Sequence, residues 1–274
     1  MIDLHAHSTC SDGSLSPSAL VELAASKGLS ALALTDHDTV SGVAEASREC
    51  SRRGIQFVPG VELEVDYQGG EFHLLGLGLR KSPEKVEIIL TDLKRRRHRR
   101  NLGIVEKMRG DGVEVDLNAV AAFAGGEVLG RPHFAHFLVD RGIASTIQDA
   151  FDRFLGRDQR YFLAIEHLTV DQCAQIIASA GGRTVIAHPL SLGLSLDGFE
   201  RRLGEWKQAG VQGIEAYHPN APLDTCRELE SIAARAGMFV TAGSDFHGSH
   251  RKDRNLGYTA GGLEIADRFL AGLD

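Results

Sequence analysis

The sequence predicts an α/β protein whose strands run mainly parallel and are joined by helical crossovers. Two observations carry this. Short apolar, β-favouring segments alternate with segments of helical periodicity near the N-terminus and again after residue 180. Strand-like segment after strand-like segment also ends in histidine or carboxylate side chains. That placement is expected where the C-terminal ends of parallel strands converge on one face of a barrel.

Taken in order, Ile2-Asp3-Leu4 runs into His5-Ala6-His7. Residues two apart on a strand point the same way, so both imidazoles face one point. One strand-end histidine is ordinarily packing; two on one face of a buried strand suggest a divalent metal. Ser16-Pro17-Ser18 opens a helix through Leu20, Val21, Leu23 and Ala24 that stops at Gly28. Ala31 to Leu34 reads as a strand ending in Thr35-Asp36-His37-Asp38. Residues 41–53 read as a helix, and Ile55 to Val58 as a third strand leading to Gly60-Val61-Glu62. Leu63, Val65 and Tyr67 then alternate with charged residues, Gln68-Gly69-Gly70 turns, and Phe72, Leu74 and Leu75 return. This predicts a β-hairpin with His73 on its second strand.

From residue 82 to 162 helix signals dominate and strands vanish. We expect a helical insertion, or cap, over 82–162 within a barrel formed by 1–81 and 163–274. The basic run Lys94 to Arg100 covers about two helical turns, so it cannot all face one ligand. A solvated helix face is preferred there over an RNA or phosphate contact. Gly130-Arg131-Pro132-His133 is expected to form a compact loop aiming a guanidinium and an imidazole at phosphate; the bland alternative is a helix start with a surface arginine. The β/α rhythm then resumes. Thr184 to Ala187 ends in His188-Pro189, and Gly213 to Ala216 carries Glu215 and is followed by Tyr217-His218. Phe239 to Ala242 ends in Gly243-Ser244-Asp245-Phe246-His247.

Length and composition bound the rest. A chain of 274 residues with 43% hydrophobic content suits one large domain, or one domain with an insertion. The 4 cysteines are scattered with no CxxC pair, which excludes a zinc ribbon or a dithiol redox motif and favours free thiols. No apolar run approaches the roughly 20 residues that span a bilayer, and no signal-peptide pattern opens the chain, so a cytoplasmic location is expected. The net charge of −7 argues against a DNA-coating protein or stable duplex binding, but is compatible with an anionic substrate at a metal site. No feature of the sequence specifies an oligomeric state.

The candidate metal ligands are His5, His7, Asp12, His37, Glu62, His73, His188, Asp245 and His247. One ion takes about three to six protein ligands, so this set suggests two or three ions bridged by a carboxylate and water. A purely structural role for all of them is a poor reading, because buried imidazoles and carboxylates cost free energy unless paired.

His5-Ala6-His7, Thr35-Asp36-His37, Ala187-His188-Pro189 and Gly243-Ser244-Asp245-Phe246-His247, in this order, resemble the motifs of the polymerase and histidinol phosphatase (PHP) family. The resemblance covers about 1–80 and 180–250. It implies a distorted (β/α)7 barrel that binds up to three divalent metals. By motif, His5, His7, Glu62 and Asp245 would hold one ion. Glu62 would bridge to a second held by His73 and His188, and Asp12, His37 and His247 would hold a third. Many members have histidine where this chain has Asp12. That harder ligand shifts the expected metal toward manganese or iron and away from zinc.

The helical insertion resembles that of the nucleotide phosphoesterases of the family. They include a phosphatase acting on 3′,5′-bisphosphonucleotides and a 5′-to-3′ exoribonuclease that trims short RNA. The resemblance therefore implies a metal-dependent phosphoric ester hydrolase acting on a nucleotide or short oligonucleotide. A metal-activated hydroxide would attack phosphorus in line, without a covalent enzyme intermediate. Arg131, His133 and His218 are the candidate catalytic and substrate-binding residues. His218 would protonate the leaving oxygen or orient the substrate, its alternative being a satisfied strand-end histidine. Glu215 is a candidate support for a metal-bound histidine. His98, His136, His167 and His250 are assigned no role.

Two further readings are a histidinol-phosphate phosphatase and, from another class, an RNA-binding module with a structural metal. A substrate panel separates the first. The second predicts salt-dependent RNA binding that survives removal of the metal.

Overall fold

The computed structural model describes residues 1–67, 69–80, 83–123, 129–164 and 168–273. Gln68 in the expected hairpin turn, the boundary at 81/82 and His167 lie outside the described residues.

The strands are β1 (Ile2–Asp3), β2 (Ala31–Leu34), β3 (Gln56–Glu64), β4 (His73–Leu77), β5 (Arg183–Ile186), β6 (Gly213–Tyr217) and β7 (Phe239–Ala242). They pair in sequence order as one 7-stranded sheet. β1, β2 and β3 run parallel, β4 is antiparallel to both β3 and β5, and β5, β6 and β7 run parallel again. The sheet curls into a nearly closed barrel, a mixed α/β fold of the (β/α)7 kind. The expected hairpin is β3–β4, with Glu64 opposite His73. β3 is longer than the alternation suggested: the segments either side of Gly60 form one continuous strand that passes from a parallel to an antiparallel neighbour.

Helices cover the barrel where local signals place them. In α1 (Pro17–Ser26) the Ser16 hydroxyl accepts from the Ala19 N–H, and Pro17 fills the first turn, where no intrahelical N–H is needed. In α2 (Val43–Arg53) the chain leaves through Gly54 at φ 69, a left-handed conformation that favours glycine. Glu45 of α2 accepts from both the backbone N–H and the hydroxyl of Ser18, tying the two helices together.

The barrel closes at β1 and β7 through a buried carboxylate. Asp3 accepts N–H bonds from His5 (3.2 Å), Ser244 (3.0 Å) and Gly257 (2.8 Å). Burial pushes its carboxyl up to about 6 despite these donors. Next to this seam, a Cβ on Gly243 would lie 2.2 Å from His5 Cβ, so only glycine lets β7 approach the first strand.

Between β4 and β5 the chain forms α3 (Pro83–Gly110), α4 (Leu117–Ala121), α5 (Arg131–Asp140), α6 (Ile147–Ala150), a single π-helical turn at Phe151–Leu155, and α7 (Val170–Ser179). α8 (Leu196–Gln208) and α9 (Leu223–Ala236) return to the barrel wall. Among the described residues the apolar side chains form separate clusters. Val86 and Leu90 of α3 pack with the barrel around Leu74, Ile177 and Trp206. Ile104 and Met108, farther along the same helix, pack with Phe134, Phe137, Leu155 and Tyr161. α3 is thus the beam joining the barrel to a second core of its own. No helix among the described residues is long and apolar enough to cross a membrane.

Candidate metal centre and cavity

At the C-terminal mouth of the barrel, the strand-end side chains converge. His5 and His7 follow β1, Glu62 lies on β3, His73 opens β4, His188 follows β5, and Asp245 and His247 follow β7. Nε2 of His5 and Nε2 of His7 lie 3.1 Å apart, and each lies 3.1 Å from Glu62 Oε2. Asp245 Oδ1 is 3.5 Å from the first and 3.4 Å from the second. Donor atoms about 2.1 Å from a shared tetrahedral ion sit roughly 3.4 Å apart, so these four side chains fit one metal.

Glu62 divides its two oxygens. Oε2 belongs to that first set, while Oε1 lies 3.0 Å from His73 Nδ1 and 2.9 Å from His188 Nε2. His37, 3.4 Å from Glu62 Oε2, is also within reach of the second set. A third set gathers on the loop after β1. Asp12 Oδ2 is 3.2 Å from His247 Nε2 and 3.8 Å from His37 Nε2, and Asp12 Oδ1 is 3.4 Å from His7 Nδ1. The structure therefore brings every sequence-derived ligand candidate into one of three overlapping sets. It adds His37 to the second and His7 to the third.

The electrostatics of this cluster are strongly coupled. Burial works against charge on Glu62, Asp12 and Asp245, but the surrounding imidazoles outweigh it and hold all three well below the usual carboxylate range. Burial likewise opposes charge on His7 and His73, yet the carboxylates raise them to about 10 and about 9. On His37 burial wins and pushes it down to about 4. Protons here balance the carboxylates, a role a bound cation takes over.

A second layer orients the ligands. His5 Nδ1 donates to Glu215 Oε1 at 2.9 Å, which turns Nε2 toward the centre. The other Glu215 oxygen accepts the His188 backbone N–H at 2.7 Å, so one carboxylate steadies ligands from two strands. His188 and Asp245 hold positive φ angles of 26° and 53°, conformations that side chains rarely adopt away from functional sites. Asp36, in the second motif, belongs to none of the three ligand sets. It accepts from the Ser8 N–H and the hydroxyls of Ser8 and Ser11, and so anchors the loop that carries Asp12.

Above the ligands opens a cavity of about 1060 Å³ that the barrel and the insertion line together. Arg131, His133 and His218 all face it. Gly130-Arg131-Pro132-His133 is not the compact loop expected: it is the first turn of α5, where the Gly130 N–H donates to His133 Nδ1 at 2.9 Å. Burial lowers His133, keeping it neutral, so Nε2 carries the proton. Arg131 lies over the Phe162 ring at 5.6 Å. His218 is buried with Nε2 3.3 Å from Asp245 Oδ2 and no hydrogen bond at that nitrogen, while its Nδ1 pairs with Asn220.

The expectation of a solvated basic run needs correction. Arg95, His98 and Arg99 are exposed, but Lys94 donates to Thr39, Arg97 pairs with Asp38 and Glu64, and Arg100 is buried. The run lies on α3, which crosses the cavity, and helical periodicity turns residues 94, 97 and 100 inward. His136 and His250, assigned no role, also line the cavity, as do Arg251 and Arg254. Arg251 donates to Asp245 Oδ2 at 2.7 Å. Spacing of three along α3 was the signal for Arg97 and Arg100. Arg251 and Arg254 lie in a segment without regular periodicity and carry no such signal.

Comparison with known proteins places this arrangement. The family model described as "PHP domain" matches residues 3–122. A 5'-3' exoribonuclease of Haemophilus influenzae is 34% identical over 245 residues, covering 89% of this chain and 89% of that protein. A 3',5'-nucleoside bisphosphate phosphatase of Chromobacterium violaceum is 32% identical over 266 residues, covering 94% of this chain and 91% of that one. A solved amidohydrolase structure from Chromobacterium violaceum, with bound sulfate and no metal, superimposes with a TM-score of 0.81 at 29% identity. That match covers 100% of this chain and 97% of the other.

Proposed function

The chain belongs to the PHP family, and we propose that it hydrolyses phosphate esters of nucleotides or short oligonucleotides with divalent metals held in the three ligand sets. One observation carries this reading: a carboxylate, Glu62, serves two ligand sets at once, at the floor of a cavity whose far wall is cationic. A structural metal saturates at about four ligands and needs neither a shared carboxylate nor an open cavity.

We assign His5, His7, Glu62 and Asp245 to the first ion, Glu62, His73 and His188 to the second, and Asp12, His37 and His247 to the third. The oxygen of Asp12 favours manganese or iron over zinc at the third. When bound, the ions supply an acidified water and neutralise charge on the phosphoryl oxygens. The chain's own groups do the rest. Glu215 fixes the His5 ring through Nδ1. His218 donates from Nδ1 to Asn220 Oδ1, which sets its ring and places Nε2 beside Asp245 Oδ2 to orient the leaving oxygen. His133 offers Nε2–H, and Arg131 its guanidinium, to substrate oxygens from the cap. The names of the relatives, a bisphosphate phosphatase and an exoribonuclease, support a nucleotide substrate in either monoester or diester form.

The test is phosphate and product release by manganese-loaded protein from 3′,5′-bisphosphoadenosine, a 5′-phosphorylated RNA dinucleotide and histidinol phosphate, with Asp245→Ala as control. Turnover of a nucleotide, lost in the control, is expected. Turnover of histidinol phosphate alone would overturn the nucleotide assignment.

A further inference from the structure

We propose that Ser191 is a positioning residue of the second metal set: its hydroxyl holds the His188 ring through Nδ1 and ties that ring to the hairpin that carries His73. The proposal rests on the reading that Glu62, His73 and His188 hold an ion, and adds what fixes two of those ligands relative to each other.

An imidazole that binds an ion through Nε2 keeps its N–H at Nδ1, and the acceptor placed there sets the angle of the ring. Glu215 Oε1 takes that place for His5, 2.9 Å from Nδ1, and the Asp245 carbonyl takes it for His247 at 2.8 Å. His188 also turns Nε2 inward, 2.9 Å from Glu62 Oε1. Its Nδ1 is met by Ser191 Oγ at 2.7 Å. A hydroxyl both donates and accepts, so it serves as an acceptor only where its own hydrogen has another destination. Here it has two, Glu71 O at 2.9 Å and His188 O at 2.8 Å. Either one leaves lone pairs on Oγ for Nδ1–H.

The surroundings keep Ser191 in place. It sits on a single 3-10 turn, Pro189–Leu192, directly after His188, and its N–H donates to His188 O at 3.0 Å. Its carbonyl accepts the Glu71 N–H at 2.9 Å, so side chain and backbone of one residue both bond Glu71. Glu71 lies two residues before His73 on the hairpin. A Cβ on Gly70 would lie 2.3 Å from Ser191 O, so only glycine lets the hairpin turn come this close. His188 holds its φ of 26° only because its surroundings determine it. Glu215 fixes its N–H, and Ser191 fixes its ring. One hydroxyl thus joins the two arms of the second set, the end of β5 and the hairpin.

Ser191→Ala removes Oγ and leaves the backbone bonds to Glu71 and His188 in place. The experiment titrates zinc, as a diamagnetic probe, into metal-free protein with isotopically labelled histidine rings. NMR follows the ring nitrogens of His5 and His188, assigned by substitution of each residue. In wild type the His188 Nε2 resonance should move on loading while Nδ1 keeps its hydrogen. In Ser191→Ala, half-saturation at His188 should need about ten- to a hundredfold more free zinc, with His5 shifted far less. Ser191→Thr keeps the hydroxyl and should restore the wild-type midpoint within about threefold, a rescue that a general packing defect would not show. Ser191→Cys, a weaker acceptor, should fall between, and decides the matter if the alanine variant does not fold.

Equal midpoints at His188 in wild type and Ser191→Ala, or no restoration in folded Ser191→Thr, would overturn the proposal and leave the metal-dependent hydrolase reading standing. Wild type that binds zinc at His5 but never at His188 would overturn the second ion itself, and the proposal with it.

Discussion

The two walls of the cavity balance charge in opposite ways. On the barrel wall every imidazole has a carboxylate within reach, and every carboxylate is shared. Glu62 alone meets His5, His7, His37, His73 and His188. On the insertion wall positive charges crowd together: burial and the charges of Arg97 and Arg131 lower Arg100, against the attraction of Glu64. The difference is instructive. A wall whose charges satisfy one another is assembled to exchange protons for metal ions. A wall with surplus donors awaits an anion from outside.

The largest expected effect breaks the barrel wall. Glu62→Gln removes the charge shared by two ligand sets. It should lower bound metal by two ions per chain in elemental analysis and phosphate release by at least about a thousandfold, near 4 kcal/mol of barrier. Retention of full metal content would refute the shared role.

The insertion wall should break differently. Phe134 is fully buried in the second apolar cluster, away from every ligand. Phe134→Ala should cost about 3–5 kcal/mol in denaturant unfolding while leaving metal content unchanged. Loss of metal on this substitution would show that the two cores are not independent.

A third prediction concerns pH. His7, raised to about 10, and His73, raised to about 9, carry protons at neutral pH in the metal-free chain. A metal competes with those protons for the same nitrogens, so loading releases protons. Affinity should fall about tenfold per pH unit for each proton displaced as pH drops below 9. Calorimetry in buffers of different ionisation enthalpy reads the proton count; a count of zero would contradict the raised values.

The smallest effect sharpens the contrast within α3. Arg95 and Arg99 are exposed on the face turned from the cavity. Their substitution by alanine should change stability by less than about 0.5 kcal/mol and leave kcat/KM for the nucleotide substrate unchanged. A large loss of substrate affinity in Arg95→Ala would mean that the outer face also meets substrate.

Much of the barrel was legible in the chain because its signals are local. A strand ending in His5-Ala6-His7 points both rings one way whatever surrounds it, and each later motif sits at a strand end that periodicity locates. The hairpin was legible for the same reason, although the continuity of β3 through Gly60 was not: it depends on β2 and β4 pairing with successive stretches of one strand. The first turn of α5 has no capping side chain at its N-cap, Gly130. The cap comes from His133, three residues on, by a backbone bond visible only in space.

Sequence alone determined the α/β class, the succession of strands along the chain and the candidate ligands, since these follow from periodicity and residue chemistry. Tertiary structure decided the rest. It set which oxygen of Glu62 meets which histidine, that Glu215 supports both His5 and His188, and that Arg100 is buried while Arg99 beside it is exposed. The physical reason is that backbone geometry is a local property. The partner and the solvent exposure of a charge are set by residues distant in sequence, and the free energy of a buried charge depends on both.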